Sequence, residues 1–399
     1  MNRRVVYTVG IALILFFLFF NPFRKRGERE VQKPYVSKDT VAAMDEFMNS
    51  SHKTPEEFLV DHLQDHEIVF LGEYGQIKQH VEVLHNVIPM LHQSGIADLG
   101  VDFALYEDQD EIDRILAAEE YDEPAVHRIL FNRMVIWGFE EYADVFRIAW
   151  ALNREIEADE KPFRIVGLNV HQQWEFVESE RDISKPEVIA KVFEEGIPDA
   201  HMAQVIKREF INRDKKALIF LSLQHAFTDF VAVQYGENAE KNQLAETRRA
   251  GKIVYDLIGD RASTVLMHSP WPYKRAELLA VFPANGVFES VFEELPQEFH
   301  RAGFLIDGSD LDDLAAGRSD FAYKYDGLKL KDMCDGYIIV GPIEDYQMVT
   351  PIDGFIDEDN IDRANRDFPG ANVEDISAQE MNDYIVGLLD NRKKYIERF

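Results

Sequence analysis

Short apolar runs rich in β-branched residues alternate with longer amphipathic stretches, and this alternation limits the chain to one class of fold. The runs are Ile68–Leu71, Leu99–Leu105, Arg164–Leu168, Ala217–Leu221, Ser263–Met267 and Tyr337–Val340. Near-continuous apolar runs of this length suit parallel strands buried on both faces. Between them, Ile77, Val81, Leu84, Ile88 and Leu91 recur at helical spacing, as do Tyr142, Phe146, Ala149, Leu152 and Ile156. Ile253, Val254, Leu257 and Ile258 form a further helical face. Thr54-Pro55-Glu56-Glu57 reads as a helix start, with Thr54 the N-cap and Glu57 closing a capping box; Ser377 and Glu380 make another. Strand and helix in alternation require crossover connections. The expected fold is therefore α/β: three layers, α/β/α, around a mainly parallel sheet, over residues 51–399.

Two regions fit less well. Residues 270–330 break the alternation and read as an insertion. Residues 351–376 are acidic, lack the glycine and carboxylate spacing of an EF-hand, and read as a solvated surface segment. Residues 24–50, polar and mixed in charge, read as a linker.

Ahead of the linker, residues 1–23 are expected to be a membrane anchor. Val5 to Phe20 is uncharged and almost wholly apolar, with Arg3 and Arg4 before it and Arg24, Lys25, Arg26 and Arg29 after it. Sixteen helical residues span roughly 24 Å, close to the ~30 Å hydrocarbon core once Asn21–Phe23 are added. A cleaved signal peptide is the competing reading, but no small-x-small cleavage site follows the run. One transmembrane helix through residues 5–20 is thus the expectation. The basic C-terminal flank would keep the domain in the cytoplasm, whereas a short Arg-bearing N-region favours export. The domain is expected to be extracytoplasmic, because the family resembled below is often exported.

A net charge of −30 repels phosphate backbones, so no nucleic-acid partner is expected. The one cysteine, Cys334, excludes an internal disulfide and any cysteine-built zinc site. HExxH, GxSxG, Walker A and GxGxxG patterns are all absent from the sequence.

Ligands of open α/β sheets bind beyond the carboxyl ends of the strands. Polar residues collect at those positions here: Gly72-Glu73, Tyr106-Glu107-Asp108, Asn169-Val170-His171, Gln224-His225 and His268-Ser269. On the first helix His80 lines up with Leu84, Val87 and Leu91 and points toward the core near the sheet edge. Glu73, His80, Glu107, His225 and His268 are the candidate catalytic residues, acting on a small-molecule ligand or substrate. Carboxylates and imidazoles around one crevice can activate water directly, or can hold a divalent cation that acidifies it. Glu73, Glu107 and His225 are the candidate metal ligands. Taken singly, each of these residues also has a structural reading, as a helix-start acid or a hydrogen-bonded core imidazole.

Ile68–Glu73 (IVFLGE), His80, the strand ending Leu105-Tyr106-Glu107 and the run Leu218–His225 together resemble the superfamily of ChaN-like haem-binding proteins, erythromycin esterases and Tiki proteins. Phe163–Asn169 resembles its middle strand, and the likeness covers about residues 60–270, with the 335–341 strand as a further match. The resemblance implies an α/β sandwich with its site at the strand ends, carrying Glu73, Glu107 and His225, with His80 beside them. It implies hydrolase (esterase-like) chemistry or the binding of haem or a divalent metal ion; a catalytically inactive member is the remaining reading. One departure matters: the family usually has a histidine two or three residues after its Gly-Glu, where this chain has Gly75 and Gln76. His80, His225 or His268 would have to supply that base.

Overall fold

The computed structural model describes residues 37–399 except 52, 158, 180–181, 183–184, 233–247, 273–279, 293–294, 323–324, 370–374 and 398. Strands β1 (Ile68–Glu73), β2 (Asp98–Leu105), β3 (Arg164–Asn169), β4 (Ala217–Ser222) and β5 (Ala262–Met267) fall on the expected runs. β6 (Trp271–Pro272) and β7 (Ala280–Val281) form a two-stranded ribbon, and β8 (Ala302–Leu305) and β9 (Gly336–Ile339) complete the set. The helices are α1 (Lys38–Ser51), α2 (Pro55–Asp65), α3 (Lys78–Gln93), α4 (Gln109–Ala117), α5 (Glu123–Arg133), α6 (Glu140–Glu155), α7 (Pro186–Val192), α8 (Pro198–Glu209), α9 (Leu223–Ala226), α10 (Ala250–Ile258), α11 (Val287–Phe292), α12 (Ile361–Arg366) and α13 (Ala378–Ile396).

The main sheet has seven strands in the order β3-β2-β4-β1-β5-β9-β8, parallel except for β8. β1 is central, pairing from Ile68 with Ala217 of β4 on one side and Ala262 of β5 on the other. Its alternate residues serve separate cores: Val69 and Leu71 one, Ile68 and Phe70 the other. Helices α3 and α6 cover the first face; α8, α10 and α11 cover the second. The three-layer expectation holds. So do both capping boxes, at Thr54/Glu57 and Ser377/Glu380.

Three expectations are corrected. The second half of the supposed linker is α1, which buries Met44, Phe47 and Met48 in the second core and sets Phe47 edge-on to Phe304, 5.5 Å between ring centroids. Four apolar side chains spaced by three or four residues among charges were enough for a helix face. The supposed insertion at 270–330 is integral: Trp271 and Phe288 are core residues, and Ala302–Leu305 is the antiparallel edge strand. Its strands and helix are short, and β8 has no β-branched residue, so no period is visible. The 351–376 segment is acidic yet buries Ile352, Phe355 and Ile356 against the first core. Residues 5–20 and 24–36 lie outside the described residues, among which no helix is long and apolar enough to cross a membrane.

If α1 is part of the folded domain, Phe47→Ala should lower stability by about 3 kcal/mol, as loss of a buried aromatic side chain does. Urea denaturation reads this; a linker residue would leave the midpoint where it was.

Candidate functional site

The helices that follow β1 and β2 pack on one face of the sheet, and those that precede and follow β4 pack on the other. β4 lies between β2 and β1, so the connections part at its carboxyl end. That is the position at which open α/β sheets form a crevice.

β1 delivers Glu73 there. Following Val69 and Leu71 by the strand period, Glu73 faces the first core, and it is only 2% exposed. Tyr142 of α6 directs its hydroxyl at both carboxylate oxygens (2.9 and 3.0 Å) and accepts the Gln76 N–H at 3.0 Å. Phe103 and Trp137 pack around the Tyr142 ring. Burial, then the nearby Asp102 charge, pushes the Glu73 carboxyl up to about 8, although the Tyr142 hydrogen bond and the Arg392 guanidinium oppose the rise. Glu73 is thus an acid at neutral pH. Arg392 of α13 bonds the Gly75 carbonyl and Gln76 Oε1 and stacks on Tyr74, so this turn is clamped. Gln76 is held at φ +70, a strained setting for a side chain bearing Cβ. A Cβ at Gly75 would sit 3.7 Å from Glu73 Oε1 and 3.4 Å from the Trp137 ring. The buried Trp137 Nε1 has no hydrogen-bond partner among the described residues.

β2 contributes Asp102, which lies within the strand. The ladder to β4 ends at Val101↔Phe220, and the pairing with β3 shifts register between Val101 and Leu105. Gly167 permits the irregularity, since a Cβ there would lie 2.3 Å from the Leu105 carbonyl oxygen. Asp102 Oδ2 accepts the Ser222 N–H at 3.1 Å, and its carbonyl accepts from Arg133 Nε and Asn169 Nδ2. Burial raises its pKa, against the pull of Arg133, the Ser222 bond and His225.

β4 ends at Ser222, directly opposite Glu73 in register, and turns at once into α9, which carries His225. Gly72 lets α9 press onto β1; a Cβ there would stand 3.1 Å from Leu223 Cα. His225 Nδ1–H donates to Asp199 Oδ1 at 2.6 Å. Asp199, in the first turn of α8, also accepts from Arg249 Nη1 (3.0 Å) and from the Ala250 N–H that opens α10 (2.9 Å). Burial alone would raise the Asp199 carboxyl, but His225 and Arg249 overcome it and hold it well below the usual carboxylate range. The His225 side chain is 18% exposed, and its Nε2 has no partner among the described residues.

The remaining candidates stand elsewhere. His80 is buried with both ring nitrogens engaged by backbone: Nε2–H donates to the His268 carbonyl (3.0 Å) and Nδ1 accepts the Tyr74 N–H (3.3 Å). Burial pushes it down to about 3, so it stays neutral and braces β1 to β5. His268 is buried in the second core between Tyr337 and Glu289, against Phe288 and Phe292. Glu107 is exposed in a turn five residues past Asp102. Glu73, Glu107 and His225 do not converge as ligands, and among the described residues no three His, Cys, Asp or Glu side chains are placed to hold a metal ion. The structure therefore joins Glu73 and His225 through Asp102 and Ser222, and leaves out Glu107, His80 and His268.

The raised Glu73 pKa has a stability consequence. Glu73 is protonated below about 8 in the fold but only below the usual value of 4.5 when unfolded. Folding takes up a proton between those values, so this contribution to stability is full below 4.5 and lost as pH rises through about 8. Urea melts across that window should show a shallower decline for Glu73→Gln than for the parent; parallel declines would mean that Glu73 ionises normally.

No protein-family model matches the chain, and no curated protein sequence does. Solved structures to which it is similar include erythromycin esterase EreC, at 10% identity over 78% of this chain and 96% of that one, with a TM-score of 0.45. A Bacillus cereus protein is similar at 11% identity over 76% of this chain and 97% of that one, TM-score 0.44. ChaN of Campylobacter jejuni, described with cofacially bound haem, is similar at 11% identity over 52% and 84%, TM-score 0.33.

Proposed function

We propose that the chain is a hydrolase of the superfamily containing ChaN-like proteins, erythromycin esterases and Tiki proteins, with His225 as its general base. The observation that carries this reading is the His225–Asp199 bond: it fixes the proton on Nδ1 and leaves a partly exposed Nε2 free to accept one. In the reaction, Nε2 takes a proton from water as the water oxygen attacks an ester carbonyl. The acyl C–O bond then breaks, and the neutral acid Glu73 protonates the departing alkoxide. Proton return from the imidazolium to Glu73 closes the cycle. Asp199 positions the base and stabilises its charged form. No step runs through a metal ion, since the expected ligands do not converge.

The test is hydrolysis of a panel of short-chain aryl and alkyl esters by the full chain. His225→Ala and Glu73→Gln should each lower kcat/KM by about 10²- to 10⁴-fold. In the parent, kcat/KM should fall above about pH 8 as Glu73 loses its proton. Equal rates from parent and both variants would sink the assignment.

A second reading rests on the same atom, because a free imidazole nitrogen is also the kind that takes haem iron as an axial ligand. A Soret shift on adding haem to the parent, absent in His225→Ala, would favour it. In either case the domain works at a membrane surface, held by residues 5–20, on the extracytoplasmic side. Protease added to intact cells should then digest the domain; full protection would reverse the orientation.

A further inference from the structure

One cation of the crevice has no counterion. Arg133 ends α5, which packs on the face of the sheet to which Glu73 points, and it is half-buried. Its Nε donates to the Asp102 carbonyl at 2.9 Å, and Asn169 Nδ2 converges on the same oxygen at 3.0 Å. The guanidinium is thereby fixed at the carboxyl ends of β2 and β3. Neither Nη has a hydrogen-bond partner among the described residues, and neither is enclosed as Trp137 Nε1 is, so both reach solvent. Partly buried arginines elsewhere are tied to acids: Arg249 to Asp199, Arg164 to Glu209. The one charge that Arg133 feels is that of Asp102, whose carboxyl is turned to the Ser222 N–H and is itself pushed toward its neutral form by burial. Burial holds the guanidinium below its ordinary value in spite of that neighbour. The same carboxyl ties Arg133 to the rest of the site, because Asp102 feels both Arg133 and His225, and Glu73 feels Asp102.

Taking a guanidinium out of water is costly unless an anion meets it. Acids outnumber bases by 73 to 43 in this chain, so a shortage of carboxylates does not account for the unpaired fork. With Nε engaged, the two Nη groups present a parallel pair of N–H donors, the geometry that takes both oxygens of a carboxylate. The place is also where open α/β sheets bind ligands. We propose that Arg133 binds the carboxylate of a small anionic ligand in this crevice, so that the substrate class of the site is an ester that also carries a free carboxylate. The binding half stands apart from the hydrolytic reading, on which the substrate half rests. A net charge of −30 repels anions from the surface at large, which confines the attraction to this fork.

The probes are phenylacetate and its neutral counterpart phenylacetamide, titrated into the full chain by calorimetry at neutral pH and low salt. Phenylacetate should bind in the millimolar range or better, and at least about tenfold more tightly than the amide. Arg133→Gln should abolish that preference. Arg133→Lys, which keeps the charge and loses the fork, should retain only part of it. A crystal structure of the parent grown with phenylacetate needs no variant to fold, and should place the carboxylate within hydrogen-bond distance of both Nη atoms. No binding by the parent, equal binding of the two probes, an unchanged preference in folded Arg133→Gln, or a carboxylate seated away from Arg133 would each overturn the proposal. In hydrolysis, the parent should favour the half-ester of a dicarboxylic acid over its neutral diester by about tenfold in kcat/KM. Preferential binding with neither ester hydrolysed removes the hydrolytic reading and leaves the anion site; hydrolysis without a binding preference does the reverse.

Discussion

Much of the crevice depends on one hydrogen bond, from the Ser222 N–H to Asp102 Oδ2. β2 and β4 stop pairing after Val101 and Phe220, so the backbone donors beyond that point need other acceptors. Asp102 takes over from the ladder, and β4 is released from strand geometry into α9 without an orphaned donor. That turn sets His225 one helical turn past Ser222, while Ser222 stands opposite Glu73. A row forms across three strands: acid, backbone donor, acid. Arg133 and Asn169 bond the Asp102 carbonyl, holding the bulged segment whose side chain replaces the ladder.

Most of the sheet was legible in the sequence because each strand buried on two faces is a continuous apolar run, and such runs leave few alternatives. What escaped notice was short or mixed. β8 has four residues, and α1 hides its apolar face among charges. The 351–376 segment looks solvated by composition, yet Phe355 packs on Phe131 of α5 and over Gly138, whose carbonyl accepts the Ile352 N–H, just before α6 begins. Site residues were legible only where a polar residue follows a strand, as with Glu73 and His225. Asp102 lies inside a strand, and its signal was available: a lone carboxylate in the middle of the apolar run Leu99–Leu105. Tyr142 was counted as an apolar helix position, which its ring is; its hydroxyl does the site's work. Asp199 sits in another helix, 26 positions before His225, and nothing local marks the pair.

His80 shows the converse. Its helical phase points it inward near the sheet edge, and the same placement supplies backbone partners to both ring nitrogens. An inward-facing histidine at a strand end is as well suited to bracing as to chemistry. The distinguishing fact is whether a nitrogen is left over, and that is a property of the turn at Tyr74 and the carbonyl of His268.

The chain carries a large excess of acid, and the strand edge shows how differently three buried carboxyls can be accommodated. Asp199 is met by Arg249, the Ala250 N–H and His225, so it stays ionised and can support a positive imidazole. Glu73 lies among aromatic rings with one hydroxyl donor and an acid nearby, so it keeps its proton. These opposite outcomes separate the base from the acid: the carboxylate backed by cations makes its histidine the acceptor, and the carboxyl denied them becomes the donor. Glu289 has neither provision in full. One oxygen accepts from His268 and the other is buried without a partner among the described residues, so the imidazole alone offsets its burial.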